Sequence, residues 1–154
     1  SRRQRQMCIR DRLYREQDDL YNEYASHFGL SGISFWILYT LCEAEEEAFT
    51  QNMLADMWHI PRQSLNSAVR TLVTRGYIKL EQMAVSGNSK ALRLTEEGEA
   101  FCKRAIYPFY ELEERILQNM TKQERKQFLE FSVRQLDMMK KEIEAVIKED
   151  AARK

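Results

Sequence analysis

The chain has 154 residues, 24 basic and 24 acidic side chains, and 44% hydrophobic residues. This composition is that of a folded protein and excludes extended disorder and a basic coat over the whole surface. No stretch approaches the roughly 18 apolar residues of a membrane-spanning helix, and no apolar secretory core follows the basic start. Three widely spaced cysteines, Cys8, Cys42 and Cys102, argue against a disulfide framework and favour a reducing cytoplasm.

The first twelve residues, SRRQRQMCIRDR, differ in character from the rest of the chain. They lack an initiator Met and resemble the translation of sequencing-adapter DNA. We therefore predict that residues 1–12 form a disordered or non-native tail, and that residues 13–154 form a single domain.

Three helices are predicted before residue 60. An apolar stripe indicates a first helix that ends near His27. Ser34 is predicted to cap a second, largely buried helix, and Thr50 a third, short one. The inward-facing side chains of the third helix are predicted to be Met53, Leu54 and Met57.

The helix predicted for residues 61–75 is the most informative element. Pro61 suits the first turn of a helix, and Gly76 suits the left-handed residue after its end. One face is apolar, and the opposite face is polar without a carboxylate or lysine. Solvated faces are usually rich in Glu and Lys, whereas a DNA-reading helix needs side chains that reach base edges without repelling phosphate. The side chains predicted to contact DNA are Arg62, Gln63, Ser64, Asn66, Ser67 and Arg70.

Residues 77–95 are predicted to form a β-hairpin, because two alternating strand segments flank a turn with glycine. Such a hairpin after a helix–turn–helix is the wing of a winged helix. Six basic side chains accompany a single acid, Glu81, between residues 61 and 93. Asn88 and Lys90 in the wing are predicted to reach phosphate or the minor groove; a plain surface turn is the alternative.

The rest of the chain is predicted to be helical. Thr95 begins a helix that Pro108 should kink, because proline removes a backbone hydrogen bond. Thr121 and Glu124 form a capping-box pattern before a last helix. Its apolar residues alternate between steps of three and four, close to a heptad seam that needs a partner surface. The residues of this seam are Leu129, Val133, Leu136, Met139, Ile143 and Val146.

Two stretches, IPRQSLNSAVRTLVTRGYIKLEQ at residues 60–82 and LRLTEEGEA at residues 92–100, resemble the MarR family of bacterial winged-helix transcriptional regulators. The resemblance covers roughly residues 13–147. It implies a mainly α fold with a small β-hairpin, built as a winged helix–turn–helix (residues 33–98) with dimerisation helices (residues 13–30 and 108–150). The implied function is that of a homodimeric, cytoplasmic repressor without a cofactor, which binds double-stranded DNA at a pseudo-palindromic operator through two recognition helices about 34 Å apart.

The resemblance also implies how DNA binding is regulated, and the sequence departs from the family's pattern in the wing. Relatives lose DNA affinity when small aromatic or phenolic compounds bind a cleft, for which the candidate residues here are His27, Phe28, Trp36 and Tyr39; ordinary core aromatics are the alternative. Other relatives sense oxidants through a cysteine, but Cys42 and Cys102 are predicted to be buried, unreactive thiols. Typical wings carry an Asp followed by Arg residues, whereas this wing has VSGNSK, which leaves the cationic role to Lys90.

Other functions are less well supported. The two histidines, His27 and His59, have no metal-ligand spacing, and the acidic run Glu43–Glu47 lacks interleaved ligands, so no metal site is predicted. Phosphate-binding glycine loops and nucleophile elbows are missing, so we predict that the protein is not an enzyme. The main alternative is a helical interaction module whose winged helix binds a protein, and a steep loss of DNA affinity with salt would separate the two.

Overall fold

A computed structural model of the chain describes residues 2–44, 47–84 and 87–153, with side chains from residue 9 onward. Four residues of the predicted acidic run and wing, Glu45, Glu46, Val85 and Ser86, lie outside the described residues. The elements in chain order are α1 Arg2–His27, α2 Gly32–Glu43, β1 Phe49–Thr50, α3 Gln51–Trp58, α4 Arg62–Thr74, β2 Ile78–Gln82, β3 Lys90–Leu94, α5 Glu96–Ala105, α6 Tyr107–Gln118 and α7 Lys122–Ala152. The predicted class, mainly α with a small β-hairpin, is confirmed.

The contacts divide the chain into two compact units, Ser1–Phe109 and Tyr110–Lys154. The first contains the helix–turn–helix and the sheet, and the second contains most of α6 and all of α7. The single domain predicted for residues 13–154 stays a prediction. Among the helices that the structure describes, none is long and apolar enough to cross a membrane.

The first two helices differ from the predictions made for their starts. Residues 1–12 were predicted to be a disordered or non-native tail; α1 begins at Arg2, so the backbone is helical from there onward, and the non-native origin of the segment stays a prediction. The reason is local: residues 2–12 are mostly good helix formers and contain neither Gly nor Pro. The cap of α2 is Ser31, not Ser34, because the Ser31 Oγ accepts a hydrogen bond from the Ser34 backbone N–H (3.1 Å).

The sheet has three antiparallel strands in the order β1-β3-β2. Strands β2 and β3 form the predicted hairpin, with Leu80 opposite Leu92. Strand β1 was not predicted, since it is only two residues long and pairs through Phe49 with Leu92. The side chains of Ile78 and Leu92 are buried, so the base of the wing is anchored in the core of the first unit.

Helices α2, α4 and α5 supply most of the core of the first unit. Its largest fully buried side chains are Phe35, Ile37, Leu38, Leu54, Leu65, Val69, Leu72, Ile78, Leu92, Cys102 and Ile106. The prediction that Met53 and Met57 face inward is wrong, because these side chains are 45% and 50% exposed. The short helix α3 buries only a narrow stripe at Leu54 and Ala55, and the methionines lie beside it.

The last three helices follow their capping signals. The Thr95 side chain accepts a hydrogen bond from the Gly98 N–H (3.0 Å) at the start of α5, as predicted. The chain divides into α5 and α6 at Ile106 instead of kinking one helix at Pro108. Thr121 and Glu124 form the predicted capping box of α7, whose described residues include no buried side chain.

Candidate nucleic-acid interface

Helix α4 is held by its apolar face. Leu65, Val69 and Leu72 are buried, and their spacing of three and four residues places them on one side of the helix. The turn before α4 contains His59 in the left-handed region (φ 53°), followed by Pro61 as the N-cap residue. Gly76, at φ 77°, follows the C-cap Arg75 and ends the helix as predicted.

The opposite face of α4 is accessible. Gln63, Asn66, Ser67 and Arg70 are exposed and together line a shallow groove of about 350 Å³. The structure therefore brings together four of the six side chains that the sequence predicts to contact DNA from this helix. Because none of them is acidic, this groove offers donors and acceptors without repelling a phosphate backbone.

A second groove, of about 450 Å³, joins α4 to the wing and to the start of α3. Asn66 lines this groove as well as the first, and shares it with the predicted wing residues Asn88 and Lys90. Gln51 and Asn52, at the start of α3, also line it and were not predicted. The sequence signal was present in the polar residues that follow the cap Thr50, whose hydroxyl accepts a hydrogen bond from the Met53 N–H (3.2 Å).

Two of the residues predicted on α4, Arg62 and Ser64, do not line the first groove. Ser64 is half-buried and, together with Ser67, lines a groove of about 340 Å³ beside Gly29 of the α1–α2 connection. Successive helical residues are 100° apart, so Ser64 lies well to one side of Gln63. Its contact with DNA stays a prediction.

The basic side chains near α4 differ in their availability. Arg75 donates a hydrogen bond to the Gly29 carbonyl (2.6 Å), which ties the end of α4 to the α1–α2 connection. Arg62 lies 3.5 Å from the Asp56 carboxylate in an exposed pair that contributes little stability. Arg70 and Lys90 are exposed and form no ion pair with the residues that the structure describes.

The four residues predicted to bind an effector belong to an aromatic cluster of the first unit. Trp36 and Tyr39 meet edge to face, with ring centroids 5.1 Å apart, and His27 meets Phe28 at 4.9 Å. Tyr24 and Phe35 connect the two pairs, since Tyr24 contacts Phe28 and Phe35 contacts both Trp36 and Tyr39. His27 is exposed and the other three predicted residues are half-buried, so the cluster keeps an accessible rim.

The two described cysteines lie together between α2 and α5. Cys102 is buried as predicted, whereas Cys42 is only half-buried. The hydrogen bond with Cys102, burial and the nearby carboxylates of Glu99 and Glu43 raise the pKa of Cys42 far above its usual range. A raised pKa lowers the fraction of the thiolate, which is the nucleophilic form of cysteine. No group of three or more metal-ligating side chains occurs within residues 2–44, 47–84 and 87–153.

The chain is similar to known proteins in part of its sequence and in its fold. Residues 28–84 match the sequence profile of the MarR family. A MarR family regulator from Neisseria meningitidis is 22% identical over 94% of this chain and 96% of its own, with a TM-score of 0.69. MepR from Staphylococcus aureus, solved as a complex with DNA, is 17% identical over 85% of this chain and 94% of its own, with a TM-score of 0.72.

The transcriptional regulator SlyA is 18% identical over 91% of this chain and 97% of its own, with a TM-score of 0.66. No curated protein matches the chain by sequence. The resemblance predicted from the sequence is confirmed: the chain has the winged-helix fold of MarR family regulators, and its residues 28–84 match the MarR family itself.

Proposed function

We propose that the protein is a transcriptional regulator that binds double-stranded DNA in a sequence-specific way, with α4 in the major groove. The observation that carries this proposal is the exposed face of α4, where Gln63, Asn66 and Arg70 line one groove without a carboxylate. A helix entering the major groove needs donors and acceptors in this arrangement. The fold shared with MepR, which was solved bound to DNA, supports the same reading.

Binding to a pool of random duplex DNA, sequenced after selection at two salt concentrations, tests this proposal. We expect enrichment of a pseudo-palindrome with half-sites about ten base pairs apart, and a steep loss of affinity with salt. Arg70→Ala should weaken binding to the enriched site. Lys103→Ala on α5 removes an equal charge from an exposed position off α4 and should leave the affinity unchanged.

Absence of any enriched duplex at both salt concentrations would reject DNA reading. The winged helix would then be an interaction module for a protein partner, whose affinity should not respond to competitor DNA.

We also propose that the regulator acts as a homodimer. The apolar seam of α7 is exposed, from Met139 at 39% to Leu129 at 64%. Leu13 and Leu20 of α1 are exposed as well, at 56% and 61%. A two-fold dimer would cover such rows and present two copies of α4 to successive turns of DNA, which is why it would read a pseudo-palindrome.

Repression relieved by a small aromatic effector is the regulatory part of the proposal. The accessible rim of the aromatic cluster, at His27, Trp36 and Tyr39, supports it. The Trp58→Phe variant leaves Trp36 as the single tryptophan, so titration with phenol and with benzoate should quench its fluorescence and lower DNA affinity together. Unchanged fluorescence and DNA affinity with both compounds would reject effector binding by this class of molecule.

A further inference from the structure

The surface that faces outward from α3, α4 and the wing is rich in side-chain amides. Five of them line the two adjoining grooves, and we call this set the amide surface: Gln51, Asn52, Gln63, Asn66 and Asn88. Two cations, Arg70 and Lys90, accompany the amides, and no carboxylate is among the residues that line either groove. Amides, more than charges, therefore define the chemistry of this surface.

Asn66 occupies its centre. It lines both grooves, with Gln63 and Arg70 on one side and with Asn52 and Asn88 on the other. Gln63, Asn66 and Arg70 are three and four residues apart, so they follow one another along the same face of α4. The distance along the helix from Gln63 to Arg70 is about 10 Å, which corresponds to about three base-pair steps.

The chemistry of amides points to one base. An Asn or Gln side chain has a donor and an acceptor side by side, which match the N6 amino group and N7 of adenine in the major groove. Arginine instead matches O6 and N7 of guanine. The residues of α4 that line the two grooves are two amides, Gln63 and Asn66, one serine and a single arginine, Arg70, so the contacts made from these grooves are biased toward adenine.

We infer that the operator half-site is dominated by adenine contacts, with Gln63 and Asn66 as the specificity-determining residues and at most one guanine contact, made by Arg70. This inference rests on the proposed function, because it specifies the DNA that the same surface reads. Asn88 and Lys90 would enter the adjacent minor groove, where A·T pairs present only acceptors. A·T pairs fit the Lys90 ammonium group there, because G·C pairs add an N2 amino donor to the same groove.

The experiment uses the full chain and the duplex enriched by selection. Each adenine of one half-site is replaced in turn by 7-deazaadenine, which lacks the N7 acceptor but still pairs with thymine. We expect two adjacent or near-adjacent positions at which this change weakens binding by roughly 5- to 150-fold. The Asn66→Ala variant should bind the unmodified site more weakly and lose its sensitivity at one of these positions.

Two controls sharpen the test. Gln118→Ala removes an exposed amide from α6 and should leave both the affinity and the sensitivity to 7-deazaadenine unchanged. Replacement of guanines by 7-deazaguanine should weaken binding at one position per half-site, and Arg70→Ala should abolish that sensitivity. Because Asn66 is exposed, its truncation should not alter folding, which circular dichroism checks.

The outcomes separate this inference from the proposed function. Half-sites with several guanine contacts, or an enriched site insensitive to 7-deazaadenine, would overturn adenine reading while leaving DNA binding intact. Sensitivity to 7-deazaadenine that persists in Asn66→Ala and in Gln63→Ala would assign the reading to other residues and also overturn it. Failure to enrich any duplex would overturn both proposals together.

Discussion

The winged helix and α7 differ in how they treat their apolar side chains. In the winged helix, Leu54, Leu65, Leu72 and Leu92 are fully buried within the first unit. In α7 the described helix of 31 residues buries no side chain at all. The first region thus forms its own core, whereas the second keeps a continuous apolar row accessible over most of its length.

This difference bears on which parts of the proposed function depend on one chain alone. The candidate DNA-contacting surface needs only the local core that orients α4, so its side chains are in place within one chain. The row on α7 gains stability only when another surface removes it from water, at roughly 25 cal/mol per Å² of apolar area. Stability of the winged helix should therefore be independent of protein concentration, while that of α7 should rise with it.

The largest effect is expected at the centre of the winged helix. Leu65→Ala removes a fully buried side chain from the inner face of α4 and should lower the free energy of unfolding by about 2–5 kcal/mol. Urea unfolding at two protein concentrations measures this loss, which should be equal at both. Val73→Ala, on the same helix but 39% exposed, is the matched control and should cost much less. Equal losses for the two variants would contradict the described core.

The next largest effect is expected on α7. Leu136→Asp combined with Ile143→Asp places two charges in the seam, where both side chains are 52% exposed in one chain. Because burying unpaired carboxylates is costly, the dissociation constant of the proposed dimer should rise at least about 100-fold. Analytical ultracentrifugation measures it. Gln123→Asp with Gln127→Asp adds the same charge at two exposed positions off the seam and should have little effect. Self-association undisturbed by the seam variant would rule out this interface.

Structural features that depend on residues close together in the chain were predictable from the sequence. The N-caps Thr50, Thr95 and Thr121 and the left-handed Gly76 each depend on hydrogen bonds or backbone conformation in one turn of chain. The polar face of α4 was predictable for a similar reason, because a regular helix fixes which residues share a side. The difference between the winged helix and α7 is therefore already indicated by the spacing of apolar residues in the sequence.

Features that depend on distant contacts were not predictable. Nothing in the sequence shows that the α1–α2 connection lies beside Ser64. The hydrogen bond from Arg75 to Gly29 joins residues 46 positions apart, and the pairing of Cys42 with Cys102 spans 60. Gln51 and Asn52 join the candidate interface only because the wing folds back next to α3.

A smaller effect is expected where the wing meets α5. Gly98 is buried, and a Cβ atom there would collide with the backbone carbonyl of Tyr77. In an open helix position, Gly→Ala stabilises by up to about 1 kcal/mol through helix propensity. We expect the opposite sign for Gly98→Ala, a destabilisation of about 1–3 kcal/mol, because the crowding must displace the wing strand. Thermal unfolding measures it, with the exposed Ala100→Gly as calibration; a stabilised Gly98→Ala variant would show that Tyr77 has room to move.

The smallest effect is expected at the start of α7. It tests whether the capping box stabilises this helix. The Glu124 carboxylate accepts a hydrogen bond from the Thr121 backbone N–H (2.7 Å), which lowers the Glu124 pKa below its ordinary value of 4.5. A pKa that is lower in the folded state means that this stabilisation is complete above about pH 4.5 and is lost as the pH falls through the folded value. Glu124→Gln keeps a hydrogen-bond acceptor at this position but does not titrate. The difference in melting temperature between the original chain and Glu124→Gln should therefore be constant from pH 5 to 7 and shift against the original chain below it, whereas parallel curves down to pH 3 would show that the cap does not stabilise the carboxylate.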